Sequence, residues 1–240
     1  MSLGPPRSRA KAEHGTSLLT AFREMRELIV HGRLSPGTWI LEAELAERLN
    51  MSRTPVRGAI HWLQREGYIL EQRNAKKSRM IVAPLTKEDA NELYIIIGRL
   101  EGIAGRGVAA LSASERKEIC SQLQQLNDRL KVISKDRDAP PGEIFENDRA
   151  FHRLIIKYGA GPRLTTLHKA IEPQTERYWR LYASSIIKDL YLSVAEHEEI
   201  IRGIHAGDPD RVETGLQVNW LKGSERLGQV IEIFGERGSW

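Results

Sequence analysis

The chain has 240 residues, 28% of them charged and 40% hydrophobic, with a mean hydropathy of −0.42; this is the make-up of a soluble protein of one or two domains. No apolar run approaches the roughly 18–20 residues of a membrane-spanning helix, and the polar start MSLGPPRSRAKAEHG lacks the apolar stretch of a secretory signal, so the expectation is a cytoplasmic protein with no membrane partner. A single cysteine, Cys120, excludes an internal disulfide and fits a reducing compartment.

The net charge of +4 is unevenly placed. Residues 1–15 carry Arg7, Arg9 and Lys11 against Glu13, and residues 16–84 carry eleven basic side chains against seven acidic ones. The rest of the chain is slightly acidic, so the positive excess sits in the first third. That asymmetry points to an N-terminal module for a polyanion and a near-neutral second domain.

Residues 1–15 read as a disordered tail. Apolar positions at 18, 22, 25, 28 and 29 give a helical period over Leu18 to Val30, stopped by the turn GRLSPG. A second helix is predicted from about Glu42 to Leu49, and Asn50, Met51 and Ser52 connect it to a third that ends near Gly67. The runs YILEQ and SRMIVAP, separated by RNAKK, predict a hairpin. Three helices and a hairpin, with a tight turn between helices two and three, is the plan of a winged helix-turn-helix. From residue 85 onward only helical periods remain, at about 86–111, 114–134, 143–158, 163–186, 189–206 and 209–235. Thr86 and Asp89 resemble a capping box with a shortened carboxylate. The predicted fold class is therefore mainly α: a tail over 1–15, a winged helix over 16–84, and a bundle of about six helices over 85–240.

The third helix places Arg53 and Arg57 on one face and Val56, Ile60 and Leu63 on another. Ser52 suits the N-cap, and Pro55 suits the first turn, where its missing N–H costs nothing. Two cations at the positive end of a helix dipole are locally unfavourable unless an anion is near, and a DNA phosphate or base edge supplies that partner. Arg73, Lys76, Lys77 and Arg79 of the wing offer a second phosphate or minor-groove contact. Trp62, on the open side of this helix, is expected to pack on the second domain or the tail.

In the bundle, FENDRAFHRLII puts Asp148 and His152 four apart on the stripe of Phe145 and Ile155. His197 falls on the stripe of Val194, Ile201 and Ile204. In the last helix Val212, Leu216, Asn219, Gly223, Val230 and Phe234 form a seam. Burying unpaired imidazole or carboxylate costs a few kcal/mol each, so these groups should meet one another or a common partner. Two readings satisfy them: a divalent cation on Asp148, His152 and His197, or a hydrogen-bonded core network without metal. Arg177 and Tyr178, in the run QTERYWRLY, are candidate lining residues of a ligand cavity, and Trp220 reads as packing.

GRLSPG followed by ELAERLNMSRTPVRGAIHWLQREGYI resembles the DNA-binding domain of GntR-type bacterial transcriptional regulators, over about 65 residues. The resemblance implies that Arg53 and Arg57 read operator bases while Ser52 and Thr54 contact phosphates or bases. Asn74 stands where that family usually has glycine at the wing tip. The helical region, with D-x-x-x-H, a later E-H-x-x-I, then G-D and a final helix, is similar to the FCD effector domain of the FadR-like subfamily. That similarity implies a divalent metal (Zn, Ni or Mn) on one Asp and three His, mapping onto Asp148, His152, His197 and, in place of the third histidine, Asn219. A second departure is Ile97, where many members carry a ligand-binding arginine; Arg99 lies two residues away. Arg99, Arg177, Tyr178 and Asn219 are thus the candidate effector contacts.

The function expected is a non-enzymatic, ligand-responsive regulator. It would act as a homodimer on a pseudo-palindromic operator in double-stranded DNA, with repression as the family expectation, and its effector would be a small metabolite such as an organic acid. Two other classes stay open on residues alone: a metal-dependent enzyme acting on a small acid, and a nonspecific nucleic-acid binder.

Overall fold

The computed structural model describes residues 8–74, 77–136, 140–186, 189 and 191–238, in two compact units that divide between Leu85 and Thr86. The second unit ends at Glu236, and the chain from Arg237 belongs to the first. There Leu85 and Arg237 exchange backbone hydrogen bonds of 2.8 and 3.0 Å. The boundary expected at residues 84/85 therefore shifts by one, and the final residues leave the helical domain because this bridge ties them to the base of the wing.

In the first unit α1 (Ser8–Val30) starts ten residues before the predicted Leu18 and takes in residues 8–15 of the segment read as a tail; residues 1–7 lie outside the described residues. Its Ala21, Phe22, Met25 and Ile29 meet Val56, Ala59, Ile60 and Leu63 of α3 (Arg53–Arg65), with Leu45 of α2 (Glu42–Arg48) and Tyr68, Ile69 and Val82 closing the core. Each fully buried aliphatic side chain here contributes about 1.5–3 kcal/mol. The turn between α2 and α3 needs one left-handed residue, and Asn50 takes it at φ 51°; the Met51 N–H then returns to the Ala46 carbonyl at 2.9 Å, closing the helix end.

The wing pairs β1 (Ile69–Asn74) with β2 (Lys77–Val82), antiparallel, in a register that runs from Ile69 opposite Val82 to Asn74 opposite Lys77. The expected turn RNAKK is thus shorter: Arg73, Asn74 and Lys77 continue the ladder. A third short segment escaped the sequence reading. Trp39 bridges Ile81 and the Ile40 N–H donates to the Met80 carbonyl at 2.8 Å, so residues after GRLSPG flank the outer side of β2.

The second unit is helical throughout its described residues: α4 (Lys87–Ala109), α5 (Ala113–Ile133), α6 (Pro141–Gly159), α7 (Pro162–Ile186), α8 (Tyr191–Ala206) and α9 (Pro209–Phe234). Thr86 caps α4 by accepting from the Asp89 N–H at 3.1 Å. The reciprocal half of that box is not made, since Asp89 Oδ2 instead accepts from the Tyr178 hydroxyl at 2.5 Å. Ser112 and Glu115 form the complete capping box, at the start of α5.

Three glycines on one stripe of α4 let α9 lie against it closely. A Cβ on Gly98 would stand 3.0 Å from Trp220 Cβ, one on Gly102 3.1 Å from Glu213 Cγ, and one on Gly105 2.5 Å from Leu216 Cδ1. This approach carries Asn219 and Trp220 into the interior. The α9 seam is buried at Val212, Leu216, Asn219 and Val230 but ends before Phe234, which is 52% exposed.

Candidate functional site

In α3 the face made of Pro55, Val56, Ala59, Ile60 and Leu63 is buried, and Ser52, Arg53, Thr54, Arg57 and His61 are exposed. The helix sits so close to α1 that a Cβ on Gly58 would come within 2.6 Å of Leu18 Cδ1. Ser52 occupies the N-cap position with φ −70° and ψ 159°, yet its side chain makes no capping hydrogen bond. The expected cap is therefore absent, and the first-turn amides keep the partial positive charge of an uncapped helix start.

Arg57 has a partner that the sequence reading missed. Its Nε and Nη2 donate to Glu42 Oε2 and Oε1, both at 2.8 Å, in a two-pronged fork. Glu42 opens α2, and the helix-turn-helix angle brings that end beside the first turns of α3. The hydrogen bond from Arg57 holds the Glu42 carboxyl below its ordinary range despite the desolvation that opposes it. In the wing, Arg73 Nη2 donates to Glu71 Oε2 at 3.1 Å, and the Arg79 guanidinium lies 3.7 Å from the centroid of the Trp39 ring. Lys76 lies outside the described residues, as do the side chains of Asn74 and Lys77. Trp62 packs edge-on to Phe22 of α1 at 5.7 Å, because the close crossing of α1 and α3 puts that ring within reach.

In the second unit Asp148 and His152 of α6 and His197 of α8 converge, each offering one ligand atom within 4.8 Å of the others. His152 Nε2 is 4.0 Å from Asp148 Oδ2, and His197 Nε2 is 3.6 Å from Asp148 Oδ1. The hydrogen bonds behind these rings fix the tautomers. Asn127 donates through Nδ2 to the Val194 carbonyl at 3.0 Å, so its Oδ1 is the acceptor for His197 Nδ1–H at 3.2 Å. His152 Nδ1–H donates to Glu101 Oε2 at 2.5 Å. The buried His197 is neutral, so its Nε2 lone pair faces the Asp148 carboxylate; His152 keeps a proton on Nε2 in the metal-free fold and would release it to present the same lone pair to a cation. His197 Nε2 is buried and has no hydrogen-bond partner among the described residues. Three ligand atoms facing one point, one of them otherwise orphaned, fit a cation, and two imidazoles with a carboxylate are ordinary ligands for a divalent transition metal.

Glu101 is the residue the sequence reading passed over. It is fully buried on α4 and accepts three N–H groups: His152 at 2.5 Å, His168 Nε2 at 3.0 Å and Trp220 Nε1 at 2.7 Å. Burial pushes its carboxyl up, but His152 and His168 more than offset this and bring it down to about 2. The same contact raises His152 to about 9 against its own desolvation. Burial, with the His152 charge beside it, drives His197 well below the usual imidazole range, and burial raises Asp148, partly offset by His152. A signal for Glu101 was present: it lies four residues after Ile97 and seven before Val108, on a stripe of α4 that is otherwise apolar and fully buried. Trp220, read as packing, therefore also anchors this carboxylate.

A small cavity, about 60 Å³, adjoins the cluster and is lined by Asp148, His152, Asn219 and Arg226, with Thr175 and Trp179 from α7. Arg177 and Tyr178 do not reach it. Arg177 Nη1 donates to Gln174 at 3.0 Å, and the Tyr178 hydroxyl is engaged by Thr86 and Asp89 at the start of α4. Positions 175 and 179, one turn apart, hold the cavity-facing side of α7, which turns 177 and 178 elsewhere. Arg99 is also absent from the cavity, donating to Gln217 Oε1 at 2.6 Å on the exposed side of α4, while Ile97 is fully buried.

A winged helix with an exposed cationic helix start, joined to an all-helical unit, defines the class of DNA-binding transcriptional regulators built from two modules. Within that class the chain matches the bacterial regulatory proteins of the gntR family over residues 19–75 and the FCD domain over residues 92–218, the latter more than half of its length. It belongs to the GntR family of transcriptional regulators and carries an FCD domain. It is 27% identical over 215 residues to the HTH-type transcriptional regulator YdhC of Bacillus subtilis, covering 89% of this chain and 92% of that one. Its identity to the gluconate operon transcriptional repressor of Bacillus licheniformis is 26% over 202 residues, covering 82% and 79%. The solved structure of McbR/YncC from Escherichia coli shares the fold, with a TM-score of 0.64 at 21% identity over 89% of this chain and 97% of that one. No described helix is long and apolar enough to cross a membrane.

Proposed function

We propose that this regulator is a repressor that binds a pseudo-palindromic operator as a homodimer and responds to a small acidic metabolite through a metal held in its FCD domain. The observation that carries the DNA half is the division of α3 into a buried apolar face and an exposed face bearing Ser52, Arg53, Thr54 and Arg57. Arg53 and Arg57 read base edges, Ser52 and Thr54 take phosphates or bases, and Arg73, Lys76 and Lys77 of the wing add phosphate contacts. One such helix reads only a few base pairs, so specificity in a genome calls for two half-sites and a dimer. Repression is supported by the gluconate operon transcriptional repressor among the relatives.

In the FCD domain Asp148, His152, His197 and Asn219 would hold a divalent metal (Zn, Ni or Mn), which when bound would supply open coordination positions for a carboxylate. The unpartnered His197 Nε2 supports this reading over a metal-free core network. The cavity, about 60 Å³, has room beside the cluster for the ion and the head group of an effector. Thr175, Ser193 and Arg226 are the lining groups suited to contact that head group.

The test is operator binding by fluorescence anisotropy at fixed salt, on a fragment selected by the purified protein from random-sequence DNA. Arg57→Ala should weaken specific binding roughly 10- to 100-fold and change non-operator binding little. Undiminished specific binding by that variant would refute the assignment of α3. Elemental analysis of protein purified without chelator or metal affinity resin tests the FCD half.

A further inference from the structure

We propose that Glu196 and Arg226 are positioning residues that hold the Asn219 amide with its carbonyl oxygen toward the Asp148–His152–His197 cluster, making Asn219 an oxygen donor to the cation bound there. The proposal rests on the metal reading given above and concerns what replaces the missing third histidine.

The two ends of an asparagine amide have nearly the same shape, and only their hydrogen bonds tell them apart. Asn219 Nδ2 lies 2.7 Å from Glu196 Oε2. A carboxylate only accepts, so the end facing Glu196 must be the NH₂ group, and the carbonyl oxygen is turned away from Glu196. Asn219 and Arg226 line the cavity together with Asp148 and His152. Turned the other way, the amide would offer the site two N–H hydrogens, which cannot ligate and repel a cation.

Glu196 is itself held. Arg226 Nη1 donates to its Oε1 at 2.9 Å and Nη2 lies 3.3 Å from its Oε2, while the same Nη2 donates to Ser193 Oγ at 3.2 Å. Lys222 Nζ stands 3.9 Å from Glu196 Oε1. Ser193, Glu196 and Asn219 are all buried, so water does not compete for these contacts. Arg226 neutralises the Glu196 charge, and the cation therefore meets a neutral oxygen with a second carboxylate behind it. The relation parallels that of Glu101 to His152 and of Asn127 to His197: each neutral ligand has one outer partner that selects which of its two ends faces the metal.

The experiment is calorimetric titration of Mn²⁺ into the chelator-treated full chain, with thermal melting of each ion-free variant alongside. Glu196→Gln lets the facing amide donate as well as accept, so Asn219 can turn; Mn²⁺ binding should weaken about 10- to 100-fold, in the range of outer-partner substitutions at metal sites. The double variant Glu196→Gln with Asn219→Asp should regain wild-type binding or better, because a carboxylate at position 219 has two equivalent oxygens and can accept from the new amide at position 196 with one while ligating with the other. A residue acting only through packing gives no such rescue. Glu196→Gln binding Mn²⁺ as tightly as wild type, or a double variant no better than the single one, overturns the proposal. Wild-type protein that binds neither Mn²⁺ nor Zn²⁺ overturns the metal reading itself, and this proposal with it.

Discussion

Replacing Glu101 by Gln tests the interior of the FCD domain most directly. The substitution keeps size and shape but removes the charge on a group that accepts from His152, His168 and Trp220. The new amide oxygen can still serve His152 and the indole, and its NH₂ can serve His168 after a tautomer change, so few hydrogen bonds are lost outright. What is lost is the attraction between a buried carboxylate and a buried imidazolium, and breaking such a pair costs about 3–5 kcal/mol. The low end applies here, since His152 can shed its proton once Glu101 is gone, and a carboxyl moved from 4.5 to about 2 corresponds to about 3 kcal/mol. For a chain of this size, about 3 kcal/mol lowers Tm by about 6–12 °C. The assay is thermal melting of the chelator-treated protein followed by circular dichroism. The pH dependence adds a second readout. Glu101 is depressed in the fold, so its contribution is complete above 4.5 and is lost as pH falls toward about 2. His152 is raised, so its contribution is complete below 6.5 and is lost as pH rises through about 9. The gap between wild type and variant should therefore be widest between 4.5 and 6.5 and close on either side. A Tm difference under about 2 °C at about pH 5.5, or one of equal size at about pH 5.5 and about pH 9.5, refutes the charge-pair account.

Three further outcomes follow from other parts of the molecule. Glu42→Gln releases Arg57 from its fork, so binding to non-operator DNA should tighten and the slope of log affinity against log salt should steepen by about one; an unchanged slope would show that the fork does not withhold this cation from DNA. Asn219→His restores a softer donor, so Zn²⁺ affinity measured against a competing chelator should rise at least about tenfold and Mn²⁺ affinity by less; equal gains for both ions count against Asn219 as a ligand. Gly159→Ala should destabilise the FCD domain by about 3 kcal/mol, because its Cβ would stand 1.9 Å from the Ala104 carbonyl oxygen, backbone that cannot swing aside. A denaturation midpoint unchanged from wild type contradicts that packing.

The sequence by itself carried the architecture and the exposed cationic face of α3. The apolar period of α3 fixed which of its sides would be buried, leaving Arg53 and Arg57 on the other, and the inward stripes of α6 and α8 singled out Asp148, His152 and His197. Helical periodicity is local, set by a repeat of about 3.6 residues, so it can be read without knowing what each face meets. What crosses between helices was settled only in three dimensions. Glu42 finding Arg57, Glu101 collecting His152, His168 and Trp220, and Glu196 choosing the orientation of Asn219 join residues 15, 51, 67, 119 and 23 positions apart. The same limit explains Arg99, named for its nearness to Ile97, and Arg177 and Tyr178, named from the run QTERYWRLY, whose side chains make their contacts away from the cavity. Charge and period determine which side chains must find partners, while the docking of helices, here permitted by the glycine stripe of α4, decides which partners they find.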